Sequence, residues 1–281
     1  MLGILAALAG TAAPLEEEGD TMRVSISTVV VAMLVIGGSV ALHQEELTAA
    51  QQEVTNAALD KEALTALDRM GAYLRTLQAF QVEAVTSTEH VLEDGQKVLF
   101  SGVTTLVARM PDRLLIEETS DRRERSYIYD GKQFTVYARR ARSYATVPAP
   151  ATIALLADVL DEKFSLNLPL EDLFRWGGPK AQTKAITSAM YVGPSQVGGI
   201  TCGHYAFRQE GLDWQVWIQL GDFPLPRKFV LTTLTDEARP QYVATYTWNL
   251  APSFNDGAFA FVAPSGVGRV KMVETSTTGE K

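Results

Sequence analysis

Residues 211–235 read GLDWQVWIQLGDFPLPRKFVLTTLT, and their spacing decides the fold class. Trp214, Val216, Ile218 and Leu220 alternate with Gln215 and Gln219, which places the apolar set on one face of an extended segment. Gly221-Asp222 and the prolines Pro224 and Pro226 then lead into a second run of branched residues. The period of two predicts a β-hairpin with one buried face.

Similar runs lie on both sides. Upstream, alternation predicts strands over 80–92, 97–110, 114–119, 126–129, 134–137 and 144–147, punctuated by turns at Asp94-Gly95, Pro111-Asp112 and Asp130-Gly131. Downstream of an interruption, strands are expected over 190–197, 200–209, 242–250 and 259–262. A helix precedes them all, with Asp60 as N-cap and Leu64, Leu67, Met70, Leu74 and Leu77 at helical spacing up to Ala79. The interruption begins at Pro148 and Pro150. It carries a helix over 153–164 with Leu155, Leu156, Val159 and Leu160, a shorter one over 170–176, and a further helical turn near 183–189. The expected fold is mainly β with helices (α+β): one long antiparallel sheet over 60–267, with no boundary that would split it. The polar residues 268–281 are expected to be a disordered tail.

The N-terminal residues have a different character. Met22-Arg23 opens the uncharged, apolar stretch 24–42, which ends Gly37-Gly38-Ser39-Val40-Ala41 and reads as a secretory signal cleaved after Ala41. The alternative is an uncleaved anchor, since about 19 uncharged residues suffice to span a bilayer. The acidic Glu16-Glu17-Glu18 is the wrong charge just ahead of such a signal, so residues 1–21 read as a spurious extension and Met22 as the start. Residues 42–59 form a polar linker. The processed protein is expected in the periplasm.

Composition narrows the partners. The 281 residues are 46% hydrophobic and 21% charged, with net charge −8 and pI near 5.0. An acidic balance argues against nucleic acid, which requires an excess of Lys and Arg. Small molecules, lipids and proteins remain. The single cysteine, Cys202, excludes an intramolecular disulfide, and no HExxH, CxxC, GxSxG or phosphate-loop pattern is present. No metal or cofactor is expected.

The order of helix, meander with "DGQKV", "RMPDRLLIE" and "YDGKQFTVY", helical insert, more strands and "FAFVAPSGV" resembles the lipoprotein-sorting LolA/LolB-like superfamily. "VPAPATI", "DWQVWI", "PLPRK" and "WNLAP" look closer still to a bacterial family of predicted periplasmic proteins of unknown function. The resemblance covers roughly residues 60–267. It implies a curved half-barrel whose open side is covered by a helical lid over an apolar cavity. In the carrier, an arginine that helps hold the lid immediately precedes the proline of the second-strand motif. Here that position is Met110, with Arg109 one step away on the opposite face.

The residues divide between two readings. Phe100, Tyr127, Tyr129, Phe134, Trp214, Tyr246 and Trp248 are either cavity lining or plain core, together with Val216 and Ile218 and with Leu155, Leu156 and Leu160 of the insert. Cys202 and His204 share a strand face, either as a thiol with a base or as a buried thiol beside a structural histidine. Asp158, Asp161, Glu162, Glu171 and Asp172 read as a solvated helix face. Arg122, Arg123 and Arg125 at one turn and Arg139, Arg140 and Arg142 at the next should meet on one rim, as a patch for anionic head groups or an acidic partner. The expected function is a periplasmic, non-catalytic binding protein or carrier for a lipid, acyl chain or other hydrophobic ligand. The alternative is a cell-envelope interaction or sensing module that docks through the same half-barrel.

Overall fold

The computed structural model describes residues 59–178 and 183–274. The expected signal, the spurious extension and nearly all of the linker lie outside these residues, as does the end of the tail. Asp60 caps α1 (Lys61–Leu74), accepting from the Glu62 amide at 2.8 Å, and its other carboxylate oxygen accepts from the Tyr191 amide at 3.0 Å. One carboxylate thus starts the helix and fixes it to a strand 131 residues away. Those backbone donors hold the Asp60 carboxyl below the usual carboxylate range.

From Ala79 the chain pleats into β1 (Ala79–Val91), β2 (Lys97–Arg109), β3 (Arg113–Ser120), β4 (Glu124–Tyr129), β5 (Gln133–Ala138) and β6 (Ser143–Pro148). The insert supplies α2 (Ile153–Phe164) and the four-residue α3 (Asp172–Arg175). Strands resume with β7 (Ile186–Val197), β8 (Ile200–Gln209), β9 (Leu212–Gln219), β10 (Pro226–Thr233), β11 (Gln241–Asn249) and the two-residue β12 (Gly268–Arg269). They form one twelve-stranded sheet in the order β12-β6-β5-β4-β3-β2-β1-β11-β10-β9-β8-β7. The long connection from β6 to β7 lets β11 return beside β1, so both chain halves share one ladder.

The hairpin of residues 211–235 forms as its spacing predicts. Leu212, Trp214, Val216 and Ile218 are buried on one face, and β9 pairs with β10 from Ile218↔Pro226 to Leu212↔Thr233. Leu220 departs from expectation: the strand ends at Gln219, and Leu220 is 48% exposed in the turn. The buried face continues across the sheet through Val82, Ala84, Leu106, Leu114, Ile116, Tyr127, Tyr129 and Phe134, which share one core with Leu67 and Met70 of α1 and with Leu156 and Leu160 of α2. Each large apolar side chain buried this way contributes roughly 1.5–3 kcal/mol.

Three other expectations change. The turn expected over 183–189 is a short 3-10 turn, Thr183–Ala185, after which β7 begins. Residues 259–262 form no strand. They belong to a strap from β11 to β12 in which Phe259 is buried under the Arg109 guanidinium and Phe261 packs on Tyr137 and Tyr144. Alternate side chains dock there as they would in a strand, but onto the sheet's outer face instead of a backbone neighbour. The tail from Gly268 is not featureless: β12 pairs in parallel with β6, closing that edge, with the Val270 amide donating to the Tyr144 carbonyl at 2.8 Å.

Candidate functional site

The inner face of the sheet is closed by residues 149–178, which act as a lid. Its entry is tied down by two contacts: the Tyr129 hydroxyl donates to the Pro150 carbonyl, and the Ile153 amide donates to the Pro111 carbonyl at 2.9 Å; the Thr152 side chain then caps α2 through the Leu155 amide at 3.3 Å. Ile153, Leu156, Ala157 and Leu160 then form the buried stripe of α2. Leu155, an expected cavity residue, points the other way and is 52% exposed. Ser165 ends the helix in the left-handed region at φ 47, and its amide donates to the Asp161 carbonyl.

The far end of the lid carries the contact with β9 and β10. The Trp176 ring meets Trp214 and Phe229 edge-on at 5.8 and 6.2 Å, Phe207 stacks on Trp214 at 4.2 Å, and Phe174 reaches Phe80 at 6.0 Å. Beneath Trp176 lies a cavity of about 30 Å³, lined by Leu170, Asp172, Leu173 and Trp176 from the lid and Pro226, Phe229, Tyr242 and Tyr246 from the sheet. Of the expected cavity residues, Tyr246 lines it. Tyr127, Tyr129, Phe134, Leu156, Leu160, Trp214, Val216 and Ile218 are buried core, and Trp248 packs against that core with its indole N–H donating to the Pro226 carbonyl at 2.8 Å. Phe100 stands apart near the rim, under the Arg122 guanidinium at 4.9 Å and beside His90. Phe229 and Tyr242 were within reach of sequence reasoning. Phe229 continues the apolar face of the hairpin, and Tyr242 lies four strand residues from Tyr246, on the same side.

Two carboxylates expected in solvent lie inside the lid. Glu171 is 1% exposed and Asp172 6%, whereas Asp158 and Asp161 are half-buried and Glu162 is exposed. Only four residues here are helical, so they present no solvated helix face, and the preceding loop turns both carboxylates inward. Glu171 Oε2 accepts from the Leu168 amide at 3.2 Å; Oε1 lies 3.3 Å from Arg175 Nε without hydrogen-bond alignment; Arg175 Nη1 is 3.8 Å from Asp158. Burial pushes the Glu171 carboxyl up to about 7, against the opposing pull of Arg175 and with a further push from Asp172. Burial also raises the Tyr242 and Tyr246 phenols.

The six arginines do gather at one end of the sheet. Arg140 clasps the two turns together, donating to the Asp121 and Ser120 carbonyls at 3.1 and 3.0 Å. Arg139 is paired with Glu117 at 2.7 Å and Glu124 at 3.7 Å, and Arg142 reaches Gly266. Arg122 and Arg123 are exposed, and Arg125 sits half-buried beside Tyr127 on the inner side. Arg109 lies on the outer face and Met110 against the core, opposite sides as expected. Cys202 is fully buried, with its thiol pushed up by desolvation, and His204 stacks on Trp217 at 3.9 Å and bonds Gln215 at 2.9 Å. They form no nucleophile–base pair; each has a structural environment.

An open, mostly antiparallel sheet of twelve strands, lidded by helices on its inner face, makes this a mainly β member of the α+β class. The chain belongs to the family described as predicted periplasmic proteins (DUF2092), whose model matches residues 63–273. Among solved structures, it is similar to the lipoprotein LppX of Mycobacterium tuberculosis, at 9% identity and TM-score 0.36 over 70% of this chain and all of that one. It is also similar to a LolA superfamily protein of Nitrosomonas europaea, NE2245, at 10% and 0.33 over 71% and 97%. The MucA/MucB complex of Pseudomonas aeruginosa matches at 16% and 0.33 over 71% and 61%. No curated protein matches. Among the described residues no helix is long and apolar enough to cross a membrane, and no group of three His, Cys, Asp or Glu is placed to hold a metal ion.

Proposed function

We propose that this protein is a non-catalytic binding protein or carrier of the periplasm that takes up a hydrophobic ligand, a lipid or acyl chain, between the lid and the inner face of the sheet. The observation that carries this reading is the seam beneath Trp176, where aromatic and aliphatic side chains of lid and sheet meet around a residual cavity. A space of about 30 Å³ is far below the roughly 300–1,000 Å³ of ligand pockets. Uptake therefore requires the lid to swing away. What it then uncovers is a broad apolar face suited to a chain without hydrogen-bonding groups. The uncharged stretch 24–42 and the family's description support the compartment. Native mass spectrometry and lipid extraction of protein purified from its own host test the reading. Co-purified acyl species are the expected result, and an empty protein that takes up no fatty acid or phospholipid would refute it.

The second reading, an envelope docking module, is favoured by the rim: Arg122 and Arg123 are exposed at the β3–β4 turn, with the Arg122 guanidinium over the Phe100 ring. Its partner would be an anionic membrane surface or an acidic envelope protein.

A further inference from the structure

We propose that the space between the C-terminal strap and the outer face of β4–β6 is a second binding site, taking a neutral polyhydroxylated ligand such as one sugar ring. It lies on the opposite side of the sheet from the lid and stands independently of the carrier reading. The cavity measures about 350 Å³, within the span of roughly 300–1,000 Å³ typical of small-molecule sites.

Beside apolar residues of the strap, its lining carries polar groups that set it apart from the inner face. At the floor, Thr135, 4% exposed, shares a hydrogen bond with Thr146 at 2.9 Å between hydroxyl oxygens. Each hydroxyl has one proton and two lone pairs, so the pair leaves one donor and several acceptor positions open to a third group. Gln133 adds an amide with both kinds of group, and Asp130 a carboxylate whose Oδ1 is occupied by the Lys132 and Gln133 amides at 2.9 and 2.7 Å. Arg269 stands on the strap side, and Tyr144 and Phe261, ring centroids 5.0 Å apart, supply an aromatic wall.

These features select against the other ligand classes. An acyl chain would leave the remaining hydroxyl proton of the threonine pair and the Gln133 amide unmet, at a cost of about 1–3 kcal/mol for each group desolvated. An anion would gain from Arg269 and lose to Asp130, and a cation the reverse, so the balanced wall favours a neutral ligand. A compact ring with donors and acceptors around its edge and C–H groups on its faces satisfies both the polar floor and the aromatic wall. The strap is a firm wall, held by the Gly268 amide on the Arg142 carbonyl at 2.9 Å and by the Val270 amide on the Tyr144 carbonyl.

Saturation-transfer NMR on the full chain tests this with glucose and N-acetylglucosamine at millimolar concentration, beside glucose 6-phosphate and glucosamine. Transfer to the ring protons of the neutral sugars is expected, several-fold weaker for both charged ones. Ala260→Trp, at an exposed strap position lining the cavity, should abolish it, and Thr146→Val should reduce it at least threefold at unchanged shape. Binding of an apolar dye, the readout for the lid site, should stay the same in both variants. Absence of transfer to either neutral sugar overturns the proposal, as does transfer that survives Ala260→Trp in a folded protein, or that is stronger for a charged sugar. If Ala260→Trp does not fold, undiminished transfer in Thr146→Val overturns it.

Discussion

Gly71 of α1 and Gly177 at the end of the lid touch backbone to backbone: a Cβ on Gly71 would stand 2.6 Å from the Gly177 nitrogen and 2.7 Å from its Cα. The contact needs both glycines, because Gly177 adopts φ +70 and any Cβ there would collide with the Arg75 side chain. Arg75 completes the junction by donating to the Trp176 carbonyl at 3.4 Å. The lid is therefore seated against α1 at its far end as well as at its Pro111 and Tyr129 anchors.

It follows that Gly71→Ala forces the lid off α1. The displaced atoms are backbone, which cannot rotate aside, so the expected loss is about 1–3 kcal/mol of stability, as for other overpacked sites. Urea unfolding measures it. An apolar dye should bind more strongly to the variant, because the seam under Trp176 opens; unchanged dye binding would mean that this junction does not govern the lid.

Two adjacent leucines separate lid from surface. Leu156 is 1% exposed and Leu155 52%, so Leu156→Asp buries a carboxylate and costs several kcal/mol, whereas Leu155→Asp should change stability by no more than about 0.5 kcal/mol. Thermal unfolding of the pair is the check. Equal effects would contradict the orientation of α2.

These leucines also mark how far the sequence carries. Period-two alternation in residues 211–235 predicts both the strands and their buried face, because a strand allows only two phases and the polar residues choose between them. In α2 the adjacent Leu155 and Leu156 leave the phase open, and Ile153, Ala157 and Leu160 settle it only once the helix is seen on the sheet. Glu171 and Asp172 are illegible for a stronger reason. Charged residues are expected in solvent, and what turns these inward is the loop from Leu166 to Leu170, with Leu170 itself at φ 62, a conformation that local composition does not announce. The sheet comes from local pattern; the lid's interior comes from long-range packing.

The burial of Glu171 predicts a pH dependence of unusual direction. Its folded-state pKa, about 7, lies above the ordinary carboxylate value, so between roughly pH 4.5 and 7 the unfolded chain ionises first and stability falls as pH rises. Below that window the group is protonated in both states and contributes nothing; above it the loss is complete, on the order of 3 kcal/mol. Urea midpoints measured from pH 4.5 to 8 should show this decline. Glu171→Gln, which keeps an oxygen for the Leu168 amide, should flatten it. A wild type and variant with parallel profiles would remove Glu171 as the cause.

At the rim, the six arginines are not equivalent, and vesicle co-sedimentation should resolve them. Arg139 is already paired with Glu117 and Glu124, which partly offset its charge, and Arg140 is held against the Ser120 and Asp121 carbonyls, which orients it toward the neighbouring turn. Arg122 and Arg123 are exposed, and Arg122 is held over the Phe100 ring, which lowers the cost of ordering it on a surface. Binding to vesicles containing anionic lipid should therefore exceed binding to neutral ones. Attraction near a charged surface is worth about 1 kcal/mol per basic residue, so replacing Arg122 and Arg123 together by Ser should weaken binding about 30-fold. Arg139→Ser should change it little. Screening over about 8 Å at physiological salt should weaken the wild type as salt is raised further and leave the double variant nearly unaffected. Equal, negligible binding to both vesicle types would make the rim a pair of solvated turns. A larger loss from Arg139→Ser than from the double variant would show that the two turns act through their shape instead of their free charge.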